Sequence, residues 1–454
     1  MLTSLAAVPT VHSKNMFDIP MKIMKKGFLT FFQELWREYG DLFLVKIGPR
    51  NMFLAVHPEH VRYISITNRQ NFEKLQSYDV VRKLLLGDGI LTSTGESWRK
   101  QRRLMSPFFA PRYLENYYTI IAEEGQALIE RWETLAGTGE TVDMMNEMMD
   151  VTASIILKAM FSINSGKELY EIRHAVETMI QFTASYQTNP LQPPLWVPTP
   201  RNRRYLRSRQ LVHRYVQDII AKRRQMKPEE WSDDLLSKLL LSRDEETGET
   251  MSDELIRDET ITIFFAGHET TARTLTFLWH ALSKNPAVAA KLHTELDDVL
   301  HGRIPSVEDL KILPYTLQVI KETLRLYPAA PVYVRDVIQD DSIDNAPIPA
   351  GSQVLLSPFL THRHPDFWHN PETFDPDRFT PEREALQHPY AYHPFAAGQR
   401  ICLGNNFSLF ESLILVAIFA QRFAPQSPPN HELKLEMAGT LISKTGTPMK
   451  IALR

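Results

Sequence analysis

The chain has 454 residues, of which 43% are hydrophobic and 23% charged, with a formal net charge of -3. This is ordinary globular composition, enough for a large core, and it carries no basic footprint of a nucleic-acid binder. A single cysteine excludes an intramolecular disulfide, so the core must hold the fold, as in a reducing compartment.

The N-terminal apolar stretch "LTSLAAV" is far shorter than the ~20 residues that span a bilayer, and no basic run precedes it as in a signal peptide. The expectation is a cytoplasmic, monomeric protein without a membrane anchor. The sequence shows no internal repeat, low-complexity tract or extended linker, so a single domain over 1–454 is expected. Helical patterns dominate and strands are short, which predicts a mainly α protein with minor β sheets. "LFLVKIG" and "NMFLAV" (42–56) read as an early hairpin, and "MKIAL" as a closing strand. The Pro-rich stretch "NPLQPPLWVPTPRNRR" (189–204) reads as a rigid connector before a basic helix that begins near Arg201.

From Ser252 to Asn285 the chain carries no proline, with Thr250 and Asp253 in capping-box spacing before it and Pro286 after it. That predicts a helix of about 34 residues, roughly 50 Å long. Its middle is apolar on nearly every side, so it should cross the interior. There it places Gly267, His268, Glu269, Thr270 and Thr271, which are costly residues in a buried helix. Thr270 can turn its hydroxyl to the Ala266 carbonyl and bend or open the helix into a groove for a small ligand. "HETTA" is not a zinc-protease motif, because position 272 is Ala where a second histidine is needed. "HRH" (362–364) reads as a solvated loop pair rather than metal ligands. Asn406-Phe407-Ser408 is a chance sequon at a helix start.

Cys402 lies between Gly398 and Gly404, immediately before the apolar helix "NNFSLFESLILVAIFAQRF". Free cysteine is among the residues most often buried, so inert packing is one reading. The other is chemistry: a helix N-terminus and Arg400 favour the thiolate, which suits a nucleophile or one axial bond to a metal. A nucleophile wants a general-base histidine, and nothing selects one. A haem-iron thiolate needs only one cysteine.

With those residues in view, the chain resembles the cytochrome P-450 haem-thiolate monooxygenases. "FAAGQRICLG" matches their F-x-x-G-x-R-x-C-x-G loop. "AGHETT" (266–271) looks like the oxygen-activation motif, "ETLR" (322–325) like the E-x-x-R helix, "FDPDRF" (374–379) like its arginine partner, and "WRKQR" (98–102) like W-x-x-x-R. The matches run in the family's order from about residue 40 onward. One position departs: the residue after Phe395, usually Gly or Ser in the family, is Ala396.

The resemblance implies a P-450 fold with the long central helix over haem b and Cys402 as the axial thiolate on iron. Trp98, Arg102, Arg335 and Arg400 stand at positions that hold the haem propionates, and Ala266 and Phe395 lie against the cofactor. Glu322, Arg325 and Arg378 form a buried structural triad, although Glu322 and Arg325 taken alone read as a surface i, i+3 pair, and Trp98 with Arg102 as part of a solvated basic helix. Glu269 and Thr270 deliver protons while one atom of O₂ enters a hydrophobic substrate. Contacts to that substrate are expected from 78–90, the Pro-rich stretch, Phe264, Phe265, Val332, Val334 and Leu441. The style is that of soluble bacterial members, with electrons from a separate ferredoxin or flavodoxin-type donor. Arg99, Lys100 and Arg103 read either as its docking face or as an ordinary solvated face. The alternatives are a peroxide-driven peroxygenase of the same fold and a haem-binding sensor.

Overall fold

The computed structural model describes residues 8–13, 18–47, 50–163, 166–188, 192–244 and 248–454, with backbone alone at 166–169 and 187–188. Residues 2–7 of the N-terminal apolar stretch and 189–191 of the Pro-rich stretch lie outside the described residues.

The proline-free run forms one uninterrupted helix of 32 residues, Asp253–Lys284, against which the helices Met144–Phe161, Pro200–Gln225, Pro314–Leu326 and Asn405–Phe419 all pack. Its N-cap is Ser252, whose hydroxyl accepts from the Leu255 N–H at 3.2 Å, in place of the Thr250/Asp253 box. Pro286 opens the next helix, Pro286–Leu300, where its missing N–H costs nothing. Thr270 does bond the Ala266 carbonyl, at 2.7 Å, but the helix continues through it. Gly267 serves packing: a Cβ there would lie 2.5 Å from Ile156 Cδ1 on the Met144–Phe161 helix. The Thr152 hydroxyl donates to the His268 carbonyl at 2.9 Å across the same contact.

The early hairpin forms as expected, Leu42–Ile47 against Arg50–Ala55, with Phe43 opposite Leu54 and Val45 opposite Met52. It supplies the second and third strands of a six-stranded sheet that runs Thr10–Val11, Leu42–Ile47, Arg50–Ala55, Gln353–Leu356, Tyr333–Val337, Phe72–Glu73. Phe31 and Phe32 of the helix Phe28–Tyr39 join Phe43, Leu54, Leu355 and Leu441 in an apolar cluster beside it. The closing strand is shorter than "MKIAL": Pro448–Lys450 pairs with Thr141–Asp143. Where the Pro-rich segment ends, Thr199 caps the helix Pro200–Gln225, accepting from the Asn202 N–H at 3.0 Å. The Asn202 amide donates back to the Pro194 and Val197 carbonyls at 2.9 and 2.8 Å, stitching the connector to its helix.

Glu322 and Arg325, both fully buried, form a two-bond pair at 2.7 and 2.8 Å, so the surface-pair reading does not hold. Arg378 approaches the same carboxylate at 3.5 Å, and the Asp375 N–H donates to it at 2.8 Å. The rest of the Arg325 guanidinium donates to the carbonyls of His362, Pro371 and Thr373 at 2.7–3.0 Å. "HRH" is buried here rather than solvated. His362 Nδ1 meets the Arg325 carbonyl at 3.1 Å, and Nε2 accepts from the His393 N–H at 2.8 Å. His364 instead faces Asp41, at 3.2 Å from each carboxylate oxygen.

Removing one partner of a buried ion pair strands the other charge without water, a loss of ~3–5 kcal/mol. Arg325→Ala is therefore expected to lower the thermal midpoint sharply and to yield little folded protein, whereas an exposed pair would cost only a few tenths of a kcal/mol. A melt within about a degree of wild type would return the pair to the surface-like class.

Candidate active site

The cysteine loop is shaped by two left-handed residues. Gly398 has φ +70°, and a Cβ on it would sit 2.1 Å from the Ser65 carbonyl oxygen, so only glycine fits. Ala396, the position that departs from the family pattern, also has positive φ, 61°. Alanine pays roughly 1–2 kcal/mol for that conformation, which explains why glycine suits the position. The loop closes by Ile401 N–H to Gly398 O at 3.0 Å and Cys402 N–H to Phe395 O at 2.9 Å. Gly404 then caps the helix Asn405–Phe419.

Cys402 is exposed, in a loop otherwise enclosed by neighbouring chain. Burial pushes the thiol up, against lowering by the Gly404 N–H bond, Arg102 and Lys74. The helix N-terminus and nearby cations thus favour the thiolate, in the direction expected from the sequence, while enclosure by the chain opposes it, and a coordinating cation would add to their effect.

Around the sulfur the chain gathers cations. Arg102 donates to the Ile401 carbonyl at 2.9 Å. Arg400 lies 3.8 Å over the Trp98 ring and donates to Glu73 at 2.6 Å and to the Ser93 carbonyl at 3.1 Å. Trp98 is buried beneath it, not part of a solvated face. Burial first, and Arg335 besides, push Arg400 down to about 10 despite Glu73. Arg335 is buried with one donor on the Val334 carbonyl at 2.9 Å. Lys74, which the sequence reading missed, is buried with its ammonium on the Leu91 carbonyl at 3.0 Å. Its pKa falls well below the ordinary lysine range through burial, then through repulsion from Arg335 and Arg400. Glu73 is the carboxylate hydrogen-bonded into this cluster, and Arg400 Nε is buried without a partner. Such a donor set is under-neutralised and fits a group bearing two carboxylates beside the thiol, as haem does.

The central helix is buried along most of its middle, but Phe265, Ala266, Gly267, Thr270 and Arg273 are partly exposed. Ala266, Thr270 and Arg273 share one face, spaced i, i+4, i+7. Phe264 falls on the opposite side, its ring stacked on buried His268 at 4.5 Å, which removes it from the substrate-facing set. His268 Nδ1 meets the Phe264 carbonyl at 2.6 Å, and no group of His, Cys, Asp and Glu able to hold a metal ion occurs among the described residues. Glu269 is buried: Oε1 accepts from the Thr440 hydroxyl at 2.7 Å and from Arg273 at 3.1 Å, while Oε2 is buried without a partner. The structure thus gives the Glu269 carboxylate and the Thr270 hydroxyl separate partners. The adjacent Thr271 hydroxyl meets Ser408 at 3.1 Å, fixing the central helix to the cysteine helix.

Val332 and Val334 are partly buried, whereas Leu441 is fully buried in the cluster beside the sheet and is not available as a lining residue. The expected substrate segment 78–90 is pinned to the central helix: the Asp88 and Ile90 N–H groups donate to Asp258 and Glu259 at 2.9 and 3.0 Å. Burial lifts Glu259 to about 8. Arg99, Lys100 and Arg103 pair with Glu96, Glu249 and Asp244, so they are not a free basic face. Lys74, Glu259 and Thr440 carried no sequence signal, because each acts through a partner distant in the chain.

A glycine-shaped loop presenting one thiol, a buried cationic cluster beside it and a threonine-bearing central helix define a haem-thiolate type of enzyme. Residues 12–452 match the Cytochrome P450 family, so the chain belongs to that family. It is 34% identical over 396 residues to cyclooctat-9-en-7-ol 5-monooxygenase of Streptomyces melanosporofaciens, covering 87% of this chain and 84% of that protein. It is 31% identical to pentalenene oxygenase of Streptomyces avermitilis, covering 95% and 93%. The crystal structure of the cytochrome P450DA heme domain superposes with a TM-score of 0.90 at 29% identity, covering 99% of this chain and 98% of that one. The protein is a cytochrome P450 monooxygenase, and among the described residues no helix is long and apolar enough to cross a membrane.

Ala396→Gly relieves the left-handed strain and is expected to raise stability by ~1 kcal/mol, less the extra entropy of an unfolded glycine. Urea unfolding checks it; stability lowered by the full ~0.4–1 kcal/mol entropic cost of glycine would mean the loop bears no strain there.

Proposed function

We propose that Cys402 is the axial ligand of haem b and that the enzyme hydroxylates or epoxidises a hydrophobic organic molecule. The observation that carries this reading is the exposed Cys402 beside the under-neutralised cations Lys74, Arg335 and Arg400. Arg102, Arg335, Arg400 and Lys74 would hold the propionates, with Trp98 supporting Arg400 from below. Phe395 and the Gly404 N–H would flank the sulfur, and Ala266 would lie against the cofactor. When bound, the haem would supply oxygen activation, and thiolate ligation by Cys402 would favour O–O cleavage.

The remaining chemistry is that of the chain. Thr270 holds a proton at Oγ1, on the partly exposed face of the central helix, and the neighbouring buried Glu269 supplies the second acid–base group. The Glu322, Arg325 and Arg378 triad fixes the segment that leads into the cysteine loop. Electrons come from a separate ferredoxin or flavodoxin-type donor, and Arg99, Lys100 and Arg103, each paired with a carboxylate, would have to exchange those partners to serve as its docking face. Phe265, Val332 and Val334 are apolar and accessible, which supports a hydrophobic substrate. The relatives named for pentalenene and cyclooctat-9-en-7-ol make those two compounds the first ligands to titrate against the haem spectrum.

In the ferrous carbon monoxide complex the wild type is expected to show the red-shifted Soret band of thiolate ligation, and Cys402→Ser to lose it. A band retained in the serine variant would remove Cys402 from the iron.

Thr270→Ala deletes the proton-bearing hydroxyl and leaves the cofactor site intact. NADPH consumption should persist while product falls and peroxide rises, by a factor of about 10 or more if the hydroxyl is a genuine general acid. Unchanged coupling between NADPH and product would assign the proton to another group.

A further inference from the structure

The helix Pro200–Gln225 is rich in arginine, and Asp218 is its one acidic residue. Its ion pairs lie at its C-terminal end, Arg223 with Asp234 at 2.7 Å and Arg224 with Asp253, and none reaches Arg209 or Arg214 among the described residues. These two arginines line an open groove of about 370 Å³ together with Leu206, Gln210, His213 and Gln217. Counted from Leu206, the lining residues recur at i+3, i+4, i+7, i+8 and i+11, so they share one face of the helix. The groove has the size of a small-molecule site, ~300–1,000 Å³, but its lining is polar where that of an apolar substrate is not.

His213 registers the charge of this groove. Its half-buried imidazole is pushed down to about 4, first by burial and then by Arg257 and Arg209, with Asp258 acting against them. Asp258 is already committed: it accepts from the Arg257 guanidinium at 2.8 and 3.0 Å and from the Asp88 N–H at 2.9 Å. It has little left to offer Arg209, and the groove keeps a positive charge. The position is also separate from the proposed substrate space, because Arg257 stands nine residues before Ala266 on the central helix, about 14 Å along its axis.

We propose that the groove over Arg209, His213 and Arg214 is a binding site for a phosphate-bearing anion, either a free phosphate ester or the headgroup of an anionic lipid. Each guanidinium offers paired N–H donors in a planar fork that matches phosphate oxygens. Gln210 and Gln217 add amide donors, and His213 becomes a further cation once an anion beside it favours the imidazolium. A single carboxylate would leave most of these donors unmet, whereas a phosphate or pyrophosphate group brings more charge and more acceptor oxygens. Leu206, 42% exposed, gives the remainder of such a ligand an apolar contact.

The full-length, haem-loaded enzyme is titrated with inorganic pyrophosphate by calorimetry and pelleted with phosphatidylcholine vesicles made with and without phosphatidic acid. Arg209→Gln and Arg214→Gln are compared with Arg203→Gln and Arg207→Gln, which remove the same charge from exposed positions of the same helix outside the groove. Each groove variant should weaken pyrophosphate by about 10-fold or more, the loss of a hydrogen bond to a charged group, while the two others stay near wild type. The proton NMR titration of His213, assigned by its loss in His213→Gln, should move to higher pH in saturating pyrophosphate. Haem absorbance and the thermal midpoint check the fold of each variant; Arg209→Lys, which keeps the charge and loses the fork, replaces Arg209→Gln if that variant does not fold.

Pyrophosphate binding with that pattern and no pelleting on vesicles assigns a free phosphate ester. Pelleting that requires phosphatidic acid, Arg209 and Arg214 assigns a lipid headgroup. Binding of neither probe overturns the site. Equal weakening by all four variants also overturns it, because the attraction would then belong to the field of the whole helix. A His213 titration that pyrophosphate leaves unmoved places the anion elsewhere and overturns the assignment to this groove.

Discussion

Glu322 is a carboxylate in a place without water, and much of the molecule is arranged so that it can be there. Arg325 grips it with two hydrogen bonds, Arg378 stands at 3.5 Å and a backbone N–H completes the shell. The arginines spend their other donors on carbonyls of 362–373, so the segment takes its path from the ion network rather than from regular secondary structure. From there His362 passes the constraint on, bonding the Arg325 carbonyl with one nitrogen and the His393 N–H with the other. His393 lies two residues before Phe395, whose carbonyl receives the Cys402 N–H. The place of the thiol is thus set through a chain of buried polar contacts. A network of this kind contributes little net stability, because desolvation offsets attraction, but it leaves few alternative arrangements once formed.

The cofactor side follows a different logic. Lys74, Arg335 and Arg400 repel one another in a partly desolvated space, and Glu73 offsets only part of that charge. Burial likewise raises the thiol that the nearby cations would lower. Both features fit the proposed haem, which would bring anionic carboxylates to the cations and a cation to the sulfur. Protein alone leaves those terms unbalanced, so binding of such a group and folding of the loop reinforce one another.

On the other side, the central helix separates its duties by face. Gly267 and His268 look toward the Met144–Phe161 helix, where close approach and a carbonyl contact matter. Ala266, Thr270 and Arg273 look toward accessible space. Glu269 lies between the two and is claimed by the C-terminal hairpin. One short motif therefore serves packing and a long-range tether at once, and carries the hydroxyl and carboxyl of the proposed proton handling, which accounts for so many expensive residues in a row.

The amino-acid sequence by itself determined what depends on neighbours in the chain. The proline-free run from Ser252 declared the central helix, and the spacing of glycines, arginine and cysteine in 395–404 declared the thiol loop. Even the odd residue, Ala396, was visible before its positive φ was known. The tertiary structure alone decided burial and partnership. It put Glu322 and Arg325 inside, turned Gly267 toward Ile156, gave Arg99, Lys100 and Arg103 carboxylate partners, and moved Phe264 and Leu441 into packed cores. It also brought Lys74 and Thr440 to the site, where no local pattern marks them. The physical reason is that a turn, a cap or a helical period is set by dihedrals and contacts a few residues long. Desolvation and ion pairing depend on which distant segments meet, and in this chain those segments lie up to hundreds of residues apart, as Arg400 and Glu73 do.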